Sequence, residues 1–319
     1  MLRTLALTFA LAATAAPAAL AQNYPDQPVR LVIGFAAGSG PDIQGRTVAI
    51  ELGKMLGQQF YVENRLGANG TIAARTVAQS KPDGYSLLFT SSSIAATPHI
   101  YRSLGYDTLN DLRPVATVGE LDGIFLLVDA KSPIKSVQEL IAKAKADRVL
   151  YGSPGVGNGL HLATEMFAKT AGIKLQHVPY KGASEVMTGM LSGAVDMMFV
   201  TPPSVQGLLK EGRVRALAFT GTKPFPAFPE VPLLKDQLPG YQPQGSWGIF
   251  LAPAKTPEPI MQLLSASIRK ALLVPEVASV IQRDGYLPDN RDLAQAAAFF
   301  KKEVEAAGEA VKAAGIEPN

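Results

Sequence analysis

Residues 28–46, PVRLVIGFAAGSGPDIQGR, read as a strand, a glycine turn and the start of a helix. The apolar run 28–35 is short and bounded by proline and glycine, the pattern of a buried strand. In the turn, Ser39 and Asp42 have the S-x-x-D spacing of a capping box, and Gly38 and Gly40 let the backbone reverse tightly. The same rhythm continues outward: QFYVEN (59–64) precedes a helix near 71–80, and YSLLFT (85–90) precedes a helix that starts after a run of serines. It restarts with RVLYGS (148–153) and a helix near 159–171, then LQHVPY (175–180) and a helix near 183–192, then AVDMMFV (194–200) and VRALAFT (214–220). Alternating strands and helices imply an α/β fold with a mainly parallel sheet, and the restart implies a second, similar sheet. From about residue 257 onward the pattern is helical throughout.

An internal echo bears on topology. GIFLLVDAKSP (123–133) and GIFLAPAKTP (248–257) are nearly the same phrase. They read as the two strands that cross between lobes, which places lobe one at 22–123 plus 250–319 and lobe two at 124–249. Chance similarity of two apolar strands before proline-ended turns is the alternative.

Arg3, an apolar run from Leu5 to about Ala16, and Ala19-Leu20-Ala21 form a secretory signal, residues 1–21, with cleavage expected near Ala21. A membrane anchor fits less well, because Pro17 interrupts a stretch shorter than the roughly 20 apolar residues of a bilayer span. The remainder, about 300 residues, suffices for one large domain or two of about 150. The chain has no cysteine, hence no disulfide, no thiolate metal site and no lipidated cysteine tether. An exported receptor without a tether is useful only where it cannot diffuse away, which favours the periplasm. A formal charge of +3 without any Lys/Arg run leaves nucleic-acid binding no electrostatic footprint.

Candidate ligand groups lie in three turns. The helix start after 36–46 offers unpaired N–H groups and a positive dipole end, which suit an anion at the edge of an open parallel sheet. YGSPGVGNGLHLATEMF (151–167) repeats the device, with Ser153, Gly155, Gly157 and Asn158 ahead of a helix beginning near Leu160. Thr90 to Ser93, including Ser91 and Ser92, put four hydroxyls after the third strand. Each turn alone could be a simple tight connection. The second turn reads G-V-G-N-G, not G-x-G-x-x-G, and no Walker loop occurs, so neither a dinucleotide nor any other cofactor is expected. His99, His161 and His177 show no metal-site spacing, so no metal is expected either. His161 could contact a ligand or pack beside Glu165 one turn on. Asp196, inside an apolar strand, needs a partner and is as readily structural as functional. Trp247 could stack on a ligand or pack at a lobe interface.

Together YPDQPVRLVIGFAAGSGPD, VENRLGANGTIAARTVAQSKPDGYSLLF, YGSPGVGNGLHLATEMF, HVPYKGASEVMTGMLSGAVDMMF, GRVRALAFTG and FPEVPLLKDQLPGY closely resemble the Bug receptor family, the binding proteins of tripartite tricarboxylate transporters. The resemblance spans nearly the whole mature chain. It implies a type II periplasmic-binding fold of two Rossmann-like lobes, a Venus-flytrap cleft between them, and small carboxylate ligands such as di- and tricarboxylates or aromatic acids. It further implies that the first loop, Phe35 to Ser39 with Ala37 and Gly38, grips a carboxylate through backbone groups and waters, with Asp42 capping the helix. Ser153, Gly155, Gly157 and His161 follow from the second lobe, and the serines close the wall. The chain departs from the family pattern at Gly34, which stands in place of a proline, at Ser39 in place of a glycine, and at Leu66-Gly67-Ala68-Asn69-Gly70 in place of P-G-A-G-G. Val200-Thr201 stands where many relatives carry an acid, and loss of that acid disfavours an ammonium-bearing ligand.

The implied partners are a small carboxylate and the membrane subunits of a tripartite tricarboxylate transporter, with the receptor itself a monomer. Two rivals remain. A hydrolase would need Ser153 or another cleft serine with His161 and an orienting acid, and no motif supplies them, so no catalytic residue is assigned. A sensor presenting its closed form to a membrane signalling partner would have the same fold.

Overall fold

The computed structural model describes residues 24–242, 245–283, 285–313 and 315–318; the expected signal segment, 1–21, lies outside them. In chain order the elements are β1 (Val29–Ile33), α1 (Gly40–Leu56), β2 (Phe60–Asn64), α2 (Thr71–Ala78), β3 (Ser86–Ser91), α3 (Ser93–Ile100) and β4 (Leu112–Leu121). There follow β5 (Phe125–Asp129), α4 (Val137–Ala146), β6 (Leu150–Ser153), α5 (Gly159–Ala171), β7 (Gln176–Pro179), α6 (Ala183–Leu191), β8 (Met197–Val200), α7 (Gln206–Lys210), β9 (Val214–Phe219) and α8 (Leu234–Gln237). The chain ends with β10 (Ser246–Pro253), α9 (Glu258–Ala271), α10 (Pro275–Arg283), β11 (Tyr286–Pro288) and α11 (Leu293–Ala313).

Two sheets form, ordered β11-β4-β10-β3-β1-β2 and β7-β6-β8-β5-β9. Leaving aside the edge strand β11, the orders β4-β10-β3-β1-β2 and β9-β5-β8-β6-β7 correspond strand for strand. The two echo phrases supply β5 and β10, which hold the same place in their sheets. The chain leaves the first sheet between Leu121 and Phe125 and is back in it at Ser246.

The sheets are mixed, which corrects the expectation of mainly parallel ones. The β2-β1-β3 and β7-β6-β8 cores are parallel, each joined by crossover connections that carry a helix. β10 runs antiparallel to β3 and β4, and β5 antiparallel to β8 and β9. These strands reach their sheet from the other sheet or from a hairpin-like return, and nothing in the local pattern encodes their direction. The expectation of an all-helical end is corrected too: β11 interrupts it, pairing antiparallel with β4. Gly285 (φ 82°) and Pro288 explain the break, since neither continues a helix.

Both faces of the central strands are covered, whereas the edge strands β2 and β7 are largely open. Leu31, Ile33, Leu87, Phe89 and Phe250 are fully buried in the first sheet, and Tyr151, Phe125, Phe199 and Phe219 in the second. Among the described residues no helix is long and apolar enough to cross a membrane.

Candidate functional site

In each sheet the chain order reverses beside one strand: β1 connects outward to β2, and the next strand, β3, lies on the other side of β1. β6, β7 and β8 repeat this. A crevice opens at such a switch point beyond the strand ends. Four turns stand there, 34–39 after β1, Ser91–Ser93 after β3, 153–159 after β6 and Thr201–Ser204 after β8. None contains an ionisable side chain.

The first turn is stapled from behind. Asp42 is buried, with Oδ2 accepting from the Gly38 N–H (2.9 Å) and Oδ1 from Arg46 and Asn64 (2.8 Å each). Burial alone would raise the Asp42 pKa, but hydrogen bonds from Arg46, Asn64 and Gly38 outweigh it and hold the carboxyl below its ordinary range. Asn64 also donates to the Phe35 carbonyl (2.9 Å). The expected capping box does not form. Ser39 occupies the N-cap of α1 but makes no side-chain cap bond, because Asp42 reaches past it to Gly38. Ser39 Oγ is buried with no hydrogen-bond partner among the described residues. Ala36 and Ala37 are exposed, and no described residue accepts from their N–H groups. Three neutral donors thus remain for a ligand on this turn.

Gly34 explains how the turn sits. A Cβ there would lie 2.7 Å from the Gly70 Cα, so two backbones touch where a side chain would intrude. That contact brings in the 67–70 turn, part of the segment that departs from the family pattern and carries no local signal of a ligand role. Asn69, left-handed at φ 55°, donates through Nδ2 to the Val156 carbonyl (2.6 Å) in the opposite lobe and to the Tyr101 hydroxyl (3.3 Å). Asparagine tolerates this conformation and often stands in for glycine, which is the signal that could have marked it.

The serine turn meets the second lobe directly. The Asn158 side-chain amide donates to Ser93 Oγ (3.4 Å), Ser91 Oγ pairs with Ser93 Oγ (3.1 Å), and Ser92 Oγ pairs with Ser246 Oγ (3.1 Å). Asn158 also caps α5, Oδ1 accepting from the Leu160 N–H (3.0 Å). Gly157 packs on Ile100. The glycine turns of the two lobes therefore converge. Thr201 lies apart from these contacts, its hydroxyl turned to Ser204 Oγ (3.3 Å).

His161 is buried and faces inward. Its Nδ1 accepts from the Gly157 N–H (2.9 Å), and its ring stacks on His177 at 4.1 Å. His177 Nε2 lies 2.6 Å from Ser153 Oγ, and Ser153 donates to the Gly155 carbonyl (3.1 Å). Ser153 Oγ also accepts from the Gly155 N–H (3.3 Å), so the hydroxyl is tied into its own turn and fully buried. Burial lowers both imidazoles to a pKa of about 4, with the neighbouring His177 adding to the effect on His161. A base that weak, beside a fully buried serine, does not support hydrolysis.

The two residues of uncertain role are structural. Asp196 Oδ2 accepts from the Leu150 N–H (2.7 Å) and ties β8 to β6. Trp247 is buried against Phe299 and Phe300, its indole N–H donating to Glu303 (2.7 Å). It packs inside the first lobe, not on a ligand.

Comparison with known proteins gives a consistent answer. The family model described as tripartite tricarboxylate transporter family receptor matches residues 45–316. The chain is similar to a UPF0065 protein of Bordetella bronchiseptica, 38% identical over 278 residues, covering 87% of this chain and 82% of that protein. Among solved structures it is similar to R. palustris Rpa4515 with adipate, at TM-score 0.86 and 30% identity, covering 93% of this chain and 100% of that one. It is also similar to MatC (Rpa3494) from Rhodopseudomonas palustris with bound malate, at TM-score 0.83 and 29% identity, covering 90% and 100%.

Proposed function

From the premise that this chain belongs to the tripartite tricarboxylate transporter receptor family, we propose that it captures a small carboxylate between its lobes and delivers it to the membrane subunits of such a transporter. Members of the family are solute-binding receptors, and this chain is one of them and not an enzyme. The observation that carries the ligand class is the set of unpaired neutral donors on the first turn: the Ala36 and Ala37 N–H groups and the buried Ser39 hydroxyl, beside the N-terminus of α1. A carboxylate held there is stabilised by hydrogen bonds without a formal cation. The two lobes repeat one topology, so a second charge-free turn faces the first, which suits a dicarboxylate with an acid group at each end. The adipate and malate bound by similar proteins have that form. An amino acid fits less well, since the four turns carry no acid to meet an ammonium group.

We place the return crossing before Ser246, so that lobe one comprises residues 22–122 and 246–319 and lobe two the residues between. Capture follows as a shift toward a closed form when the ligand bridges both lobes. Export with cleavage near Ala21 and residence in the periplasm complete the reading; N-terminal sequencing of the exported protein should begin at Gln22.

The test is calorimetry with adipate, malate, benzoate and glutamate, with mass spectrometry of whatever copurifies. At least one non-amino acid should bind with micromolar or tighter affinity. If no acid in the panel gives heat or raises the melting temperature, the proposal is wrong.

A further inference from the structure

The lobe-two turn owes its shape to two imidazoles beneath it. His161 Nδ1 accepts from Gly157, so Nδ1 carries no proton and the ring hydrogen sits on Nε2, which lies 3.9 Å from Glu165 Oε1. His177 Nε2 pairs with the Ser153 hydroxyl (2.6 Å), which lies within hydrogen-bond reach of the Gly155 carbonyl (3.1 Å) and N–H (3.3 Å). Both ends of the turn are thus tied to the imidazole pair, and at the Gly157 end the tautomer is fixed because a backbone N–H can only donate. The rings stack with Tyr151, at 4.8 Å for His177 and 6.1 Å for His161. With Gly157 committed to His161, the Val156 and Gly159 N–H groups are the donors of this turn without an acceptor among the described residues.

We propose that His161 and His177 are positioning residues for ligand capture, holding the Ser153–Asn158 turn in its binding shape only while both rings are neutral. The inference rests on the carboxylate-receptor reading above. A proton added to His161 must go to Nδ1, where it opposes the Gly157 N–H, donor against donor. The acceptor is lost, Gly157 is released, and the neighbouring Val156 and Gly159 donors move with it. Two charged rings 4.1 Å apart would also repel.

The groups facing the pair do not reverse this. Glu165, on the same helix, favours a charged His161, but it already accepts from the Tyr151 hydroxyl of β6. Lys169 and Lys174 line the same surface hollow as Glu165 and bring no further negative charge to it. Across the cleft, α3 presents the apolar Ile100. Burial supports the neutral form, with both rings titrating at about 4.

Nuclear magnetic resonance of the wild-type protein from pH 8 to 4 should show both rings neutral at pH 7, with His161 as the Nε2–H tautomer. The Gly157 amide signal should move in step with His161, with a midpoint near 4. With adipate and malate as probes at pH 7, His161→Phe keeps the stacked ring but loses the acceptor and should bind about tenfold more weakly. His161→Gln keeps an acceptor and should stay within about threefold of wild type. A Gly157 signal indifferent to pH, a His161 midpoint near the ordinary imidazole value, or His161→Phe binding like wild type would overturn the proposal. If wild type binds neither acid, the ligand assignment has failed, and the spectra alone decide the role of the imidazoles.

Discussion

Ala68 is the most strained residue near the site. It lies within four consecutive residues of positive φ, Gly67 (127°), Ala68 (45°), Asn69 (55°) and Gly70 (86°), and it alone has a Cβ without a polar group to compensate. The left-handed conformation costs such a residue about 1–2 kcal/mol, partly offset by the smaller entropy of its unfolded chain. Ala68→Gly should therefore stabilise the protein by about 0.5 kcal/mol, read as a small rise in the urea midpoint. A fall would mean that the Ala68 methyl has packing value outweighing its strain. Asn69 is different, because its amide leaves the turn for Val156 in the other lobe. Asn69→Gly keeps the backbone shape and should leave stability within about 0.5 kcal/mol while weakening carboxylate binding, so calorimetry and denaturation together separate the two roles. The sequence displays the departure at 66–70 and the tolerance of asparagine for φ above zero. Where the amide lands depends on the packing of two distant lobes, and no local pattern holds that.

At the scale of elements, legibility followed periodicity. The helix near 159–171 and the strands at 59–64 and 214–220 lie within a residue or so of their positions in the structure, because each carries its own period and punctuation. β4 was not anticipated. It is buried on both faces along most of its length and holds Pro114 and Gly119, so it has neither alternation nor a clean apolar run and is specified by its partner β10. Within the site, the glycine turns and Asn158 were legible from composition, whereas the inward aim of His161 and the pairing of His177 with Ser153 were not, since those ring nitrogens are oriented by strands brought together only in the fold. The start of α5 offers a test. Asn158→Ala removes the cap and should cost about 1 kcal/mol. Asn158→Asp preserves the cap oxygen beside the helix dipole but loses the donor to Ser93, so it should keep its stability and still close less readily. Equal destabilisation by both substitutions would show that the cap does not account for the role of this residue.

For the whole molecule, the buried imidazoles link stability to pH. Unfolded histidines titrate near 6.5 and these two near 4, so between those values the unfolded chain binds more protons. Stability is full above pH 6.5 and declines as pH falls toward 4, by roughly 2–3 kcal/mol for the well-buried His161 and less for the half-buried His177. Melting temperatures measured over that range should show the slope, and His161→Gln should flatten it. Closure has its own determinant. Ile100 packs with Ala96, Leu162 and Val311, a cluster drawn from both lobes, and a Cβ on Gly157 would come within 2.1 Å of Ile100 Cδ1. Gly157 also has φ 74°, so an alanine there is strained as well as crowded. Ile100 is fully buried among those neighbours and has little room to yield, which leaves separation of the lobes as the relief. Gly157→Ala should therefore increase the radius of gyration in small-angle scattering and weaken carboxylate binding at least about tenfold, with the circular dichroism of the two sheets retained. Adding Ile100→Ala removes the obstructing methyl groups and should recover part of the compact form, although the backbone strain at 157 remains. If the single variant scatters and binds like wild type, the Gly157–Ile100 contact does not govern closure.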